Sequence, residues 1–143
     1  MNSNFNNNDE KKTQLDICTN TKKLLKQFYK KSLLVYPTPL HKLENLEHFI
    51  GHKSIWIKRD DMTGIGIGGN KIRNLEYLLG DAIEKNCDTI ICSGHIQSNL
   101  VSLTAAAARN AQLECVSVHN DEPPKKLEGN ALLNHIFGIK TIY

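Results

Sequence analysis

The sequence predicts an α/β protein, a parallel sheet flanked by helices in three layers. Two observations carry this. From Asp88 onward, short apolar runs alternate with helical patterns, and strand starts recur about every 25 residues, a spacing suited to right-handed βαβ units. Upstream, a strand-like Ile55-Trp56-Ile57 runs through a glycine-rich stretch into an amphipathic helix. With 143 residues and 40% hydrophobic content, the chain can form one modest domain, burying about 70% of its unfolded surface.

In chain order, positions 1–20 open on an asparagine-rich run without hydrophobic period and read as a disordered leader. Thr21 to Leu34 is lysine-rich and loosely amphipathic, a first helix or part of a targeting leader; the lack of arginine and the presence of Asp9 and Glu10 weigh against targeting. Tyr36-Pro37-Thr38-Pro39-Leu40 is extended, because each proline pushes its predecessor out of the helical region. Leu43, Leu46, Phe49 and Ile50 mark a short helix that Gly51 ends. A helix follows near 70–85, with Asn70 placed to cap it. Strands near 89–93, 114–118 and 139–143 then alternate with helices near 99–110 and 130–137. The pattern stops on a strand at Tyr143, an unusual place for a domain to end, and the chain reads as truncated.

Composition excludes several functions. Residues 1–31 hold seven lysines against Asp9, Glu10 and Asp16, a balance of +4; the remaining eleven basic and twelve acidic residues give −1. The basic excess belongs to the leader, so no nucleic-acid-binding face is expected. No apolar run approaches the ~20 residues of a membrane span, and Met1 to Asp9, asparagine-rich and polar, does not read as a secretory signal. Cys92 and Cys115 lie in strand-like runs and Cys18 and Cys87 form no Cys-x-x-Cys pair, which points to reduced thiols in the cytoplasm, with mitochondria as the alternative. His48 and His52 are four apart, but Gly51 interrupts their helix and no carboxylate shell accompanies them, so no metal site is expected.

Two stretches carry chemistry. Lys71 heads a helix with Leu75, Leu78 and Ala82 on its own face, so its stem points toward the core. The positive end of the helix dipole disfavours an ammonium there, and a neutral amine is what carbonyl chemistry requires. Gly68 and Gly69 allow a planar group to approach the backbone. The second stretch, Ser93-Gly94-His95-Ile96-Gln97-Ser98-Asn99, joins a strand's C-terminal end to a helix. Open α/β sheets bind ligands at that edge, and the helix start favours an anion such as an amino-acid carboxylate. The pattern Gly64-x-Gly66-x-x-Gly69 also fits a dinucleotide fingerprint. Its context fails, because Asp60-Asp61-Met62-Thr63 separates strand from glycines and Ser93-Gly94-His95 stands where the ribose-binding acid belongs.

These residues resemble a known family. Lys58-Arg59-Asp60-Asp61, Gly68-Gly69-Asn70-Lys71, Arg73, Leu75-Glu76-Tyr77-Leu78, Gly94 to Asn99 and Gly129-Asn130 resemble the pyridoxal-phosphate enzymes of the D-cysteine desulfhydrase and 1-aminocyclopropane-1-carboxylate deaminase family, which have the tryptophan synthase beta-like fold type II. The resemblance implies pyridoxal 5'-phosphate as cofactor, bonded to Lys71 and held with Asn70 and Asn99. It implies Gln97 and Ser98 as carboxylate ligands, with Ser98 the nucleophile in cyclopropane-opening members. Residues 21–58 would then belong to the large domain and 59–143 to an incomplete small α/β domain, in a homodimer when full length. The substrate would be a small amino acid, D-cysteine first, converted to pyruvate, sulfide and ammonia. Deamination of aminocyclopropane carboxylate and a non-catalytic remnant are the alternatives. Two departures stand out: His95 replaces a glycine, and Leu100 stands where histidine or glutamine is usual. The resemblance covers only the family's N-terminal part, and its phosphate cradle, pyridine-nitrogen partner and active-site tyrosines have no counterpart in this sequence.

Overall fold

The computed structural model describes residues 7–143. The elements run α1 (Asn7–Leu25), β1 (Leu40–Lys42), α2 (Glu44–Ile50), β2 (Trp56–Lys58), a 3-10 turn (Asp60–Met62), α3 (Ile72–Glu84), β3 (Thr89–Ser93), α4 (Asn99–Asn110), β4 (Glu114–Val118), α5 (Gly129–Ile136) and β5 (Lys140–Ile142). β3, β4 and β5 form a parallel sheet in that order, with Ile90 opposite Cys115 and Val118 opposite Ile142. β1 and β2 form a separate antiparallel pair in which Leu40 faces Lys58. The α/β class and the parallel pairing are as the strand rhythm predicts.

Helix α4 is the centre of the core. Eight consecutive residues, Val101 to Ala108, are buried, which requires packing on every side. The alanines at 105–108 make that possible, since small side chains let neighbours approach from all directions. The sheet lies against one side of α4, and α3 and α5 pack beside it. Ile72, Leu75, Leu79, Leu103, Leu113 and Cys115 form the main apolar cluster. The opposite face of the sheet is open among the described residues: Ile91 is 72% exposed, and Val118 and Ile142 are also exposed. The fully apolar Thr89-Ile90-Ile91-Cys92 pattern anticipates burial on both faces, but the described helices cover only one.

Three local expectations are corrected. Positions 7–20 belong to helix α1 rather than a disordered leader, while 1–6 lie outside the described residues. From Thr13 onward α1 is exposed, so that part has no buried face to produce a hydrophobic period; its lysine, glutamine and leucine residues are good helix formers, and Lys22 and Lys23 complement its C-terminal dipole. The helix stops at Leu25 instead of running to Leu34. The backbone N–H groups of Leu33 and Leu34 both donate to the buried Glu76 carboxylate, at 2.9 and 3.1 Å, which a helix would not allow. Finally, the buried face of α3 comprises Ile72, Leu75, Glu76, Leu79 and Ala82; Leu78 is 60% exposed.

Candidate active site

Lys71 occupies the turn that starts α3, with φ −65° and ψ −26°. Its carbonyl accepts from the N–H groups of Asn74 and Leu75 at 3.1 and 3.0 Å. Asn70 makes no side-chain cap, because the helix start falls one residue later than its capping position requires. The Lys71 side chain is half-buried, and its amine makes no hydrogen bond or ion pair with the described residues. The neighbouring cations contrast with it: Lys30 pairs with Glu76 and Arg73 with Asp60.

The glycine loop ahead of Lys71 is fixed from three directions. Thr63, fully buried, accepts the Gly69 N–H on its hydroxyl at 3.0 Å. Gly68 lies at φ +78°, and a Cβ there would stand 1.8 Å from the Asp61 carbonyl oxygen. Gly69 lies at φ +145°, with Leu103 of α4 against it. Arg73 then clamps the preceding turn, its Nε and Nη2 donating to the Asp60 carboxylate at 3.0 and 2.5 Å and Nη2 also to Thr38 at 3.0 Å. The Arg73 guanidinium holds the Asp60 carboxyl below its ordinary value.

The second loop crosses the C-terminal edge of β3 and enters α4. Ser98 is the extended residue before the helix, at φ −66° and ψ 123°, and its hydroxyl has no hydrogen-bond partner among the described residues. The Asp121 carboxylate braces the loop by accepting from the Ile96 N–H at 2.6 Å and from His95 Nδ1 at 3.1 Å. Those bonds, His95's first, hold the Asp121 carboxyl below its ordinary value. Beneath, the buried His119 donates from Nδ1 to the Gly94 carbonyl at 2.7 Å. An open cavity of about 430 Å³ lies at the C-terminal ends of β3 and β4, lined by Ser93, Gly94, His95, Val118, His119 and Asn120.

Gln97 and Asn99 turn toward α5. Gln97 Nε2 donates to the Glu128 carbonyl at 3.1 Å, and its Oε1 accepts the Asn130 N–H at 2.8 Å. The Asn99 amide oxygen accepts from Asn130 Nδ2 at 2.8 Å. Gln97 thus spends one end of its amide on each of two backbone groups. Gln97, Asn99 and Asn130 are joined by direct bonds, whereas no hydrogen bond links Lys71 or Asn70 to Gln97, Ser98 or Asn99. Thr63 and Asp121 carry no motif of their own, and Asn130 only the short Gly129-Asn130 element; the distant partners they meet in the fold reveal their roles.

A lysine amine without a hydrogen-bond partner among the described residues, set on a glycine loop, is a group that can condense with a carbonyl. Residues 31–142 match the family of pyridoxal-phosphate dependent enzymes; the chain belongs to that family, whose cofactor is pyridoxal phosphate. Among its relatives are a protein of Pyrococcus horikoshii named putative 1-aminocyclopropane-1-carboxylate deaminase, 45% identical over 118 residues, and a D-cysteine desulfhydrase of Yersinia pestis, 39% identical over 123 residues. The matches cover 82% of this chain and 35% and 37% of those relatives. A crystal structure of an ACC deaminase homologue superposes with a TM-score of 0.77 at 45% identity, covering 84% of this chain and 36% of that one. The chain therefore spans about a third of the length of these relatives. No helix among the described residues is long and apolar enough to cross a membrane.

The residues present fit the cofactor. Lys71 offers an amine with no competing partner, and Asn99, with its oxygen engaged by Asn130, keeps its Nδ2 hydrogens for an oxygen acceptor.

Proposed function

We propose that this chain supplies the cofactor-bonding lysine and the substrate loop of an enzyme that eliminates and deaminates a small amino acid, D-cysteine first, to pyruvate, sulfide and ammonia. The observation that carries the reading is the unpartnered Lys71 amine behind Gly68 and Gly69. Lys71 would hold pyridoxal phosphate and Asn99 would donate to its ring oxygen. When bound, that cofactor supplies an electron sink for the charge left on Cα. Released from the cofactor by the incoming amino group, Lys71 Nζ would accept the Cα proton as a general base. The Ser98 hydroxyl and the amides at the start of α4 hold the carboxylate, helped by the helix dipole. Gln97 supports this loop, its one remaining Nε2 hydrogen being all that its side chain can offer a substrate.

Deamination of 1-aminocyclopropane-1-carboxylate is the second reading, favoured by the free Ser98 hydroxyl, a nucleophile for ring opening, and by the name of the Pyrococcus relative. Borohydride reduction with pyridoxal phosphate, followed by peptide mapping, tests the site. Stoichiometric label on Lys71 is expected, and label on a different lysine refutes the assignment. Sulfide release from D-cysteine, against ammonia release from the cyclopropane substrate, separates the two readings; release of neither leaves the chain a non-catalytic member of its family.

A further inference from the structure

Gly129 and Asn130 stand 31 to 33 residues beyond the loop, yet Asn130 makes three hydrogen bonds to it and Gly129 lies close against it. Asn130 donates its backbone N–H to Gln97 Oε1 at 2.8 Å. Its Nδ2 donates to the Gln97 carbonyl and to Asn99 Oδ1, both at 2.8 Å. Gly129 lies at φ +55°, which side chains rarely adopt, and a Cβ there would stand 2.6 Å from Gln97 Oε1, so a larger residue would have to displace the Gln97 amide from its bonds.

We propose that Asn130 is a positioning residue, acting through Asn99 to set which way the Asn99 amide faces. The inference rests on the proposed cofactor role of Asn99. Its logic begins at the Gln97 carbonyl, which only accepts and therefore requires the nitrogen end of the Asn130 amide. That nitrogen's second hydrogen then requires the oxygen end of Asn99. The Asn99 Nδ2 hydrogens are left facing away from Asn130, available to the electron-rich ring oxygen of the cofactor. One backbone carbonyl thus fixes two side-chain amides in series, and Gly129 provides the clearance that brings them together.

Two variants test this. Asn130→Ala removes both donors. Asn130→Asp keeps the shape but presents only acceptors, so Asn99 must turn its nitrogen toward α5 and its oxygen toward the cofactor. A helix-capping role would survive that change, because an acid is favourable in a first helical turn. In the cofactor-free chain, 15N relaxation should show the wild-type Asn99 side-chain amide as rigid as the α4 backbone, and released in Asn130→Ala. Affinity for pyridoxal phosphate, followed by absorbance titration, should fall about tenfold in both variants, the loss expected for one charge-assisted hydrogen bond. The proposal is overturned if the wild-type Asn99 amide is as mobile as an exposed asparagine, a result that needs no variant to fold. It is also overturned if Asn130→Asp binds the cofactor as tightly as wild type. Failure of the wild type to bind pyridoxal phosphate at all would instead sink the function proposed above, and the relaxation data would still decide the positioning role.

Discussion

Glu76 sits in the middle of α3 with 1% of its surface exposed, and removing it should be among the most damaging single changes to this chain. Its Oε1 accepts the N–H groups of Leu33 and Leu34, at 2.9 and 3.1 Å. Oε2 accepts the Tyr36 hydroxyl at 3.0 Å and pairs with Lys30 Nζ at 2.7 Å. Glu76→Ala strands two buried N–H donors, at about 1–3 kcal/mol each, and leaves Lys30 to water, so a loss of about 4 kcal/mol is expected. For a chain of this size that is a fall in melting temperature of about 12 °C. Glu76→Gln keeps one acceptor oxygen for the two N–H groups and loses only the charge, so about half that fall is expected. Burial raises the Glu76 carboxyl, but its hydrogen bonds with Lys30, Leu33, Leu34 and Tyr36 outweigh burial and hold it below 4.5. A depressed carboxylate stabilises fully above its unfolded value, and the contribution disappears as pH falls through the folded one. The gap between wild type and Glu76→Gln should therefore be constant around neutrality and close as pH drops below 4.5. Thermal melts followed by circular dichroism across that range measure it. Glu76→Ala melting within about 2 °C of wild type would show that this network contributes nothing net.

Lys71→Ala should leave the melting temperature nearly unchanged, because the amine has no partner to lose, while abolishing borohydride-fixed label; a large destabilisation would mean the lysine is structural. Asp121→Ala should free the Ile96 amide, which loses its 2.6 Å bond, and accelerate its hydrogen exchange. In the wild type the Ile96 amide proton shift should follow the Asp121 titration, with a midpoint below 3.8 because the folded carboxyl is depressed. An Ile96 shift that ignores this titration would rule out the brace.

The βα rhythm was legible because strands at 89–93, 114–118 and 140–142 are short apolar runs separated by helix-length segments, a local signal. Lys71 and the 93–99 loop could be singled out as candidates because the chemistry proposed for them is concentrated in a few adjacent residues. Glu76 was not legible in its structural role. Between Leu75 and Tyr77 it reads as an ordinary helical acid, and its partners Leu33 and Leu34 lie 43 and 42 residues away. Gln97 illustrates the same limit: the family resemblance assigns it to a carboxylate, but the carbonyl and amide it meets belong to Glu128 and Asn130, beyond the next strand. Helix α1 escaped for the opposite reason, since from Thr13 to Leu25 it is solvent-exposed, and a stretch without a buried face gives no period to read.

Both candidate stretches meet one buried helix, the 93–99 loop leading into α4 and the glycine loop packing against it, and this makes the glycine loop sensitive to α4. Ser98 and Asn99 begin α4, and one turn on Leu103, 2% exposed, lies where a Cβ at Gly69 would come within 2.8 Å of its Cδ1. Ala106 stands 3.2 Å from a Cβ at Gly66. The glycine loop and the 93–99 loop are thus referenced to the same helix, so their relative placement does not depend on flexible chain between them. Gly69→Ala should disturb that reference twice, through a φ of +145° that alanine rarely adopts and through the push on Leu103. Backbone strain of this kind costs about 1–3 kcal/mol. Leu103→Val removes the δ-methyl groups and relieves the push but not the strain. In a double-mutant cycle the two changes should therefore be coupled, the pair being less damaging than the sum by about 1 kcal/mol. Label at Lys71 should recover in part alongside. Additivity within about 0.5 kcal/mol would mean that Leu103 gives way freely and that α4 does not hold the glycine loop in place.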